Sequence, residues 1–317
     1  MQIAEAFESF VAQPVRHRRA DLAIYRLSQL LHDRTNGKFD RAFMKIAPLL
    51  KPKQNLPAST DMTPAEREEV ASGLRRDGYR ILPFKVVERD IEEIRSFAFS
   101  TPAFGNSLEE RCTVSPGKIP VGIPRFTWSM PQLTRLPAIQ RIVLNGPYCE
   151  IAQEYLGCRP VLAHVSLWLD APCEGRFEPY LYHYDNEGPG FLKFFLFLSD
   201  VEVGTGAHHF VAGSHHPIKP DSVARAGLYS DEQIFAAYAR QSERIAQGVA
   251  GTILAEDTKG YHRGSNIARD FRLLVQLEFS VLDVPTDQEL AMRFTPIPIP
   301  GLDPAVAAIT RKFYSRA

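Results

Sequence analysis

Apolar runs of strand length are confined to the second half of this 317-residue chain, while helical spacing dominates the first. PVLAHVSLWL (160–169), FLKFFLFL (191–198) and FRLLVQLEFSVL (271–282) are the three strongest, and shorter runs fit Tyr180–Asp185, His209–Ala212 and Thr252–Ala255. Runs of this length, rich in β-branched and aromatic residues and separated by turn residues, read as strands. A helix carrying Ile234, Phe235, Tyr238 and Ile245 interrupts them. Strands gathered behind helices exclude an alternating βαβ chain. They predict a mainly β fold, an antiparallel sandwich or barrel with flanking helices.

Residues 1–50 read as helical. Ile3, Phe7, Phe10 and Val11 recur at helical spacing, as do Leu22, Tyr25, Leu27, Leu30 and Leu31. The basic run Arg16–Arg19 reads as a solvated helix start. KPKQNLPAST (51–60) reads as a linker, so the chain divides into an N-terminal helical extension, 1–60, and a main domain, 61–317. Thr63-Pro64-Ala65-Glu66 predicts a helix with Thr63 as N-cap, Pro64 at the first helical position and Glu66 closing a capping box. That helix stops at Asp77-Gly78, and a strand over Tyr79–Leu82 follows. A second helix turns Ile91, Ile94 and Phe97 inward. Residues 100–130 read as a long ordered loop, and helices around 136–144 and 148–156 close at Gly157.

Thirty-seven basic side chains balance 37 acidic ones, which argues against a nucleic-acid or anionic-membrane partner. No stretch reaches the ~18 apolar residues of a membrane span. The first fifteen residues carry Glu5 and Glu8 and no apolar block, so no secretory signal is expected. Cys112, Cys149, Cys158 and Cys173 show no CxxC spacing and read as buried small hydrophobes. The expectation is a cytoplasmic protein acting on a small molecule.

The chemistry centres on His183-Tyr184-Asp185. In a strand, residues i and i+2 share a face, so one imidazole and one carboxylate converge. These are two thirds of the 2-His-1-carboxylate triad that leaves positions open on Fe(II). Gly260-Tyr261-His262-Arg263-Gly264 follows, and ten residues after His262 comes Arg272, inside an apolar strand. An arginine there is costly to bury without an anion, and its planar fork suits a carboxylate. Metal at His183, Asp185 and His262, with a guanidinium beyond, would suit a dicarboxylate keto acid. Four other downstream histidines compete. His208 and His209 are adjacent, so at most one faces inward. His215 and His216 sit in a turn-like setting before Pro217 and read as loop braces.

HYDNEGPGFLKFFLFLSDVEVGTGAHHFVAGSHH (183–216) resembles the central block of the phytanoyl-CoA dioxygenase family, and His262 to Arg272 resembles its late metal histidine and 2-oxoglutarate arginine. LRRDGYRILP is similar to the family's opening, so the resemblance covers roughly residues 65–285. It implies a double-stranded β-helix, a cupin-like jelly roll, with Fe(II), 2-oxoglutarate as cosubstrate, O2, and ascorbate as reductant in vitro. The implied activity is a dioxygenase that releases succinate and CO2 while oxidising an unactivated C–H bond of a small or carrier-linked metabolite. Because Asp185 is intact, the resemblance implies hydroxylation, or a desaturation or cyclisation, rather than halogenation. Residue 212 is alanine where the family commonly has proline, and residues 1–60 have no counterpart; these helices are a candidate homodimer surface.

Three further features bear on the site. His164, Ser166 and Trp168 share one face of the strand before His183, facing either the pocket or the core. Lys193 reads either as a donor to a substrate or cosubstrate carboxylate or as a snorkelling lysine. Asn266 is a candidate to orient the cosubstrate. The rival to the enzyme is a non-catalytic cupin-like protein that binds metal or ligand.

Overall fold

The computed structural model describes residues 17–105, 111–173, 180–283 and 295–317. Helices α1 (His17–Thr35) and α2 (Lys38–Leu50) open it, followed by α3 (Pro64–Asp77), β1 (Tyr79–Ile81) and α4 (Glu88–Ser100). Short strands β2 (Ala103–Phe104), β3 (Arg111–Cys112) and β4 (Arg125–Thr127) precede α5 (Met130–Leu133), α6 (Pro137–Asn145), α7 (Tyr148–Leu156) and β5 (Val161–Asp170). Then come β6 (Phe191–Phe197), β7 (His208–Val211), α8 (Asp231–Ala237), β8 (Glu243–Ala246), β9 (Ile253–Glu256), β10 (His262–Gly264) and β11 (Arg272–Ser280). β12 (Ile297–Ile299), α9 (Pro304–Thr310) and β13 (Tyr314–Arg316) complete it. The fold is a double-stranded β-helix with flanking helices. Its larger sheet runs β1-β9-β6-β11-β5-β4-β2-β3 and its smaller sheet β10-β7-β8.

The two faces of the larger sheet are written into its central strands. Leu273, Val275, Leu277 and Phe279 of β11 lie in one core with Val165, Leu167 and Leu169 of β5 and Leu192, Phe194 and Leu196 of β6. The same core takes Ile94 of α4, Ile139 and Val143 of α6 and Ile151 of α7, so the helices cover this face. The alternate residues form a second, mostly polar face. Cross-strand register puts Arg272 opposite Asp170, Gln276 opposite Ser166 and Phe195, and Glu278 opposite His164 and Lys193. A bulge in β5 at Ala163 preserves this alternation at the strand's start, because Phe279 pairs with Leu162.

The Thr63 capping box and the Gly78 stop, with φ of 84°, are as the sequence predicts. Several expectations need correction. Residues 100–130 are not one loop, since β2, β3 and β4 extend the larger sheet. Tyr180–Asp185 forms no strand; it makes only isolated bridges, Tyr182 to Tyr229 and His183 to His262. Ile245 is not helical, because α8 ends at Ala237 and Ile245 pairs with His209 in β8. The stripe Ile3–Val11 lies outside the described residues.

α1 and α2 form a hairpin docked against the β core. Its turn needs Gly37, at φ 69°, because a Cβ there would sit 2.0 Å from the Pro217 carbonyl oxygen. Asn36 exchanges two hydrogen bonds with the Lys219 backbone at 2.9 and 3.0 Å. In the segment 51–60, Lys51 donates to the Val281 carbonyl at 2.5 Å, and the Gln54 amide donates to Gln153 at 2.7 Å. No described helix is long and apolar enough to cross a membrane.

Candidate metal centre and its cavity

His183, Asp185 and His262 each offer a ligand atom within 4.8 Å of the others. His183 and His262 face each other across a two-hydrogen-bond bridge, 3.0 and 2.8 Å, and their rings lie 4.4 Å apart. The Asp185 amide donates to the Thr258 carbonyl at 2.8 Å, so the loop before His262 also sets the third ligand. Both imidazoles have Nδ1 2.9 Å from a carbonyl two residues upstream, Leu181 for His183 and Gly260 for His262. That contact requires Nδ1–H and leaves the Nε2 lone pair for a metal. Burial, reinforced by His183, pulls the His262 pKa down to about 3, so this ring is neutral. Two imidazoles held through Nδ1 and one carboxylate form a donor set that fits Fe(II).

Lys193 is buried and organises the acidic side of this centre. Its ammonium donates to Asp185 Oδ2 at 2.8 Å and lies 3.0 Å from Glu187 and 3.8 Å from Glu278. Burial alone would lower the lysine, but the three carboxylates hold it above its ordinary range. Burial would likewise raise Asp185; the Lys193 ammonium overrides it and keeps the carboxyl well below its usual range. The lysine is therefore neither a surface snorkel nor aimed solely at a ligand.

Arg272 is buried at the other end of the same cavity. Two of its nitrogens donate to Asp170 Oδ2, at 2.6 and 3.2 Å, and Nη1 donates to the Gly206 carbonyl. Arg125 also donates to Asp170, at 2.5 and 3.2 Å, and stacks over Trp168 at 4.7 Å. Burial would raise Asp170, but the two guanidiniums hold it low. Two guanidiniums thus flank one carboxylate. Ser166 Oγ and Trp168 Nε1 are buried without partners on the same wall. This set of donors fits a carboxylate-bearing cosubstrate.

The cavity joining these ends has a volume of about 650 Å³ and is lined by both sheets. His164, Ser166 and Trp168 face it, which settles their orientation. His208 does too, while His209 turns away to Glu243 and Ser265, both at 2.8 Å. His208 Nδ1 lies 2.8 Å from Glu256, whose carboxyl burial raises to about 8. His215 is buried against the Arg75 carbonyl at 3.1 Å and stacks on His216, away from the cavity. Asn266 is exposed and does not line the cavity.

Sequence reasoning missed five contributors. Tyr25 and Gln29 of α1 line the cavity from the N-terminal hairpin, with Gln29 donating to the Asn186 carbonyl at 2.7 Å. Asp170, Gln276 and Glu278 lie on the polar face of β5 and β11. The alternation Arg272-x-x-x-Gln276-x-Glu278 in an otherwise apolar strand was the available signal.

No family model matches the chain, and no curated protein matches its sequence. Among solved structures, the chain is similar to EctD from S. alaskensis with 2-oxoglutarate and 5-hydroxyectoine, at 16% identity over 73% of this chain and 81% of that one, TM-score 0.51. The apoform of that protein gives 15% identity over 72% and 80%, TM-score 0.51. SnoN, a non-heme alpha ketoglutarate dependent epimerase from nogalamycin biosynthesis, gives 20% identity over 69% and 84%, TM-score 0.49. The EctD likeness supports the double-stranded β-helix as the fold.

Proposed function

We propose that this chain is an Fe(II)- and 2-oxoglutarate-dependent oxygenase that hydroxylates an unactivated C–H bond of a small molecule. One observation carries the reading. The His183–Asp185–His262 triad, with both Nε2 atoms free, shares a cavity with the buried guanidinium of Arg272. When bound, iron supplies O2 activation coupled to decarboxylation of 2-oxoglutarate to succinate and CO2. The solved EctD structure with 2-oxoglutarate shows that a protein of this fold binds that cosubstrate. The motif order of residues 183–216 and 262–272 supports membership of the phytanoyl-CoA dioxygenase family as a finer part of the same proposal.

The protein's own residues have separate tasks. His183 and His262 present nitrogen donors fixed through Nδ1, and Asp185 adds the anionic one. Lys193 holds Asp185 in place and ionised before metal arrives. Arg272, ordered by Asp170, presents positive charge to the distal carboxylate of the cosubstrate, with Arg125 beside it at the rim. The apolar rings of Phe195, Phe197 and Trp168 line the space between and exclude water from it.

One observation favours a second reading, a metal-binding protein without catalysis: Arg272 already has its donors engaged by Asp170 and Gly206. Succinate release from 2-oxoglutarate with Fe(II), O2 and ascorbate separates the two. Release that depends on iron and on His262 supports the oxygenase. Iron binding with no release and no 2-oxoglutarate binding supports the second reading.

A further inference from the structure

The cavity is electrically polarised along the larger sheet. One end holds Arg125 and Arg272 around Asp170. The opposite end holds Glu187 and Glu278 around Lys193. If Asp185 serves a metal, as the proposed function requires, Lys193 is the nearest cation left for two carboxylates. That end then sets two carboxyls against one cation, beside the metal centre and inside a largely buried cavity, and burial together with Glu187 raises Glu278 well above the usual carboxyl range.

Two buried groups there have unused hydrogen-bonding capacity. Glu278 is 3% exposed, lines the cavity, and its Oε1 receives no hydrogen bond from a described donor. Gln276, 7% exposed and two residues earlier on the same face of β11, lines the cavity, and no side-chain hydrogen bond forms at it among the described residues. Buried polar groups without partners are rare unless something else satisfies them. Tyr25 and Gln29 of α1 border the same end, adding an aromatic face and an amide.

We infer that this is the substrate end of the cavity, and that the substrate presents a protonated nitrogen, an ammonium or guanidinium, to Glu187 and Glu278. The cation supplies the charge that one lysine cannot supply to two carboxylates. Its N–H groups donate to Glu278 Oε1 and to the Gln276 amide oxygen, and the Tyr25 ring adds a face on which a cation gains further. The opposite polarity of the two ends also sorts the ligands. A dicarboxylate is repelled from the acidic end, and a cationic substrate is repelled from the arginine end.

The test uses the metal-loaded full chain with 2-oxoglutarate and without O2. Calorimetry compares n-pentylammonium and n-butylguanidinium with 1-hexanol and hexanoate. The cations are expected to bind about tenfold or more tightly than the alcohol, and hexanoate more weakly than either. Glu278→Gln and the partly exposed Glu187→Gln should each erode that preference while metal content and 2-oxoglutarate binding persist. No preference of the wild type for the cations over 1-hexanol would overturn the inference, as would a preference surviving both substitutions. Succinate release, measured on the same samples, reports the oxygenase reading separately. Cation preference without succinate release leaves the acidic subsite standing and removes the oxygenase.

Discussion

Lys193 donates to Asp185 at 2.8 Å, so an ammonium already occupies one oxygen of the triad's single carboxylate. Lys193→Met would leave Asp185, Glu187 and Glu278 facing one another without a counter-cation. Removing one member of a buried charge cluster costs about 3–5 kcal/mol. The metal-free variant is expected to lose stability of that order, and Fe(II) or a divalent substitute should restore part of it. Chemical denaturation with and without metal checks this. Equal losses in both states would mean that metal does not take over the neutralisation of Asp185.

Arg272→Leu is expected to weaken 2-oxoglutarate by roughly two to four decades, while iron affinity changes little. Asp170 retains Arg125 in this variant, so the cluster does not collapse. Asp170→Asn should do the opposite to the cosubstrate: removing the competing carboxylate preserves or strengthens 2-oxoglutarate binding while lowering stability. Equilibrium binding of labelled 2-oxoglutarate to both variants decides. Unchanged affinity in Arg272→Leu would make the arginine a structural partner of Asp170 alone.

The candidate metal ligands were legible in the sequence because each carries a local signature: H-x-D for two of them, and a histidine shortly before the arginine-bearing strand for the third. The α3 capping box was legible for the same reason. Asp170 was not. Its meaning depends on standing across from Arg272, 102 residues away, and on Arg125, 45 residues away. Nor was the part played by α1, since Gln29 reaches Asn186 over 157 residues, and no periodicity records such a contact. The His183 segment was misread as a strand because its alternation is real but its only pairings are isolated bridges.

His262→Ala is expected to lose iron binding and all 2-oxoglutarate turnover. His215→Ala and His216→Ala should keep iron, since His215 bonds the Arg75 carbonyl and stacks on His216. Metal content of the three purified variants is the measurement. Full occupancy in the His262 variant, with loss in either of the others, would reassign the second imidazole ligand.

Asp40 of α2 pairs with Lys259 at 2.6 Å, three residues before His262, and also lies 2.7 Å from His32 of α1. All of these side chains are buried, so Asp40→Asn leaves Lys259 without its counter-charge. A loss of about 3–5 kcal/mol is expected, accompanied by weaker iron binding through displacement of the 257–262 loop. Denaturation and metal titration check the two effects. Weaker stability with unaltered metal affinity would confine the N-terminal hairpin to a scaffold role.

The pH dependence of stability should carry a mark from Glu256. This carboxyl is fully buried beside His208, and burial raises it from an ordinary 4.5 to about 8. His208 is itself pushed well below its usual range by burial and by Arg272, so it does not take the proton that the carboxyl retains. Between those two pH values the native protein holds a proton that the unfolded chain has released. Stability contributed by this group is therefore present below pH ~4.5 and declines as pH rises toward 8. Glu256→Gln keeps the shape of the side chain but cannot titrate. The stability of wild type relative to this variant should fall by up to about 1.4 kcal/mol per pH unit across that window in metal-free protein. Urea denaturation of both proteins at intervals from pH ~5 to ~8 measures the difference, which cancels the contributions of every other titrating group the two share. A flat difference would show that Glu256 ionises near its ordinary value, and hence that water or a cation reaches it behind the metal centre.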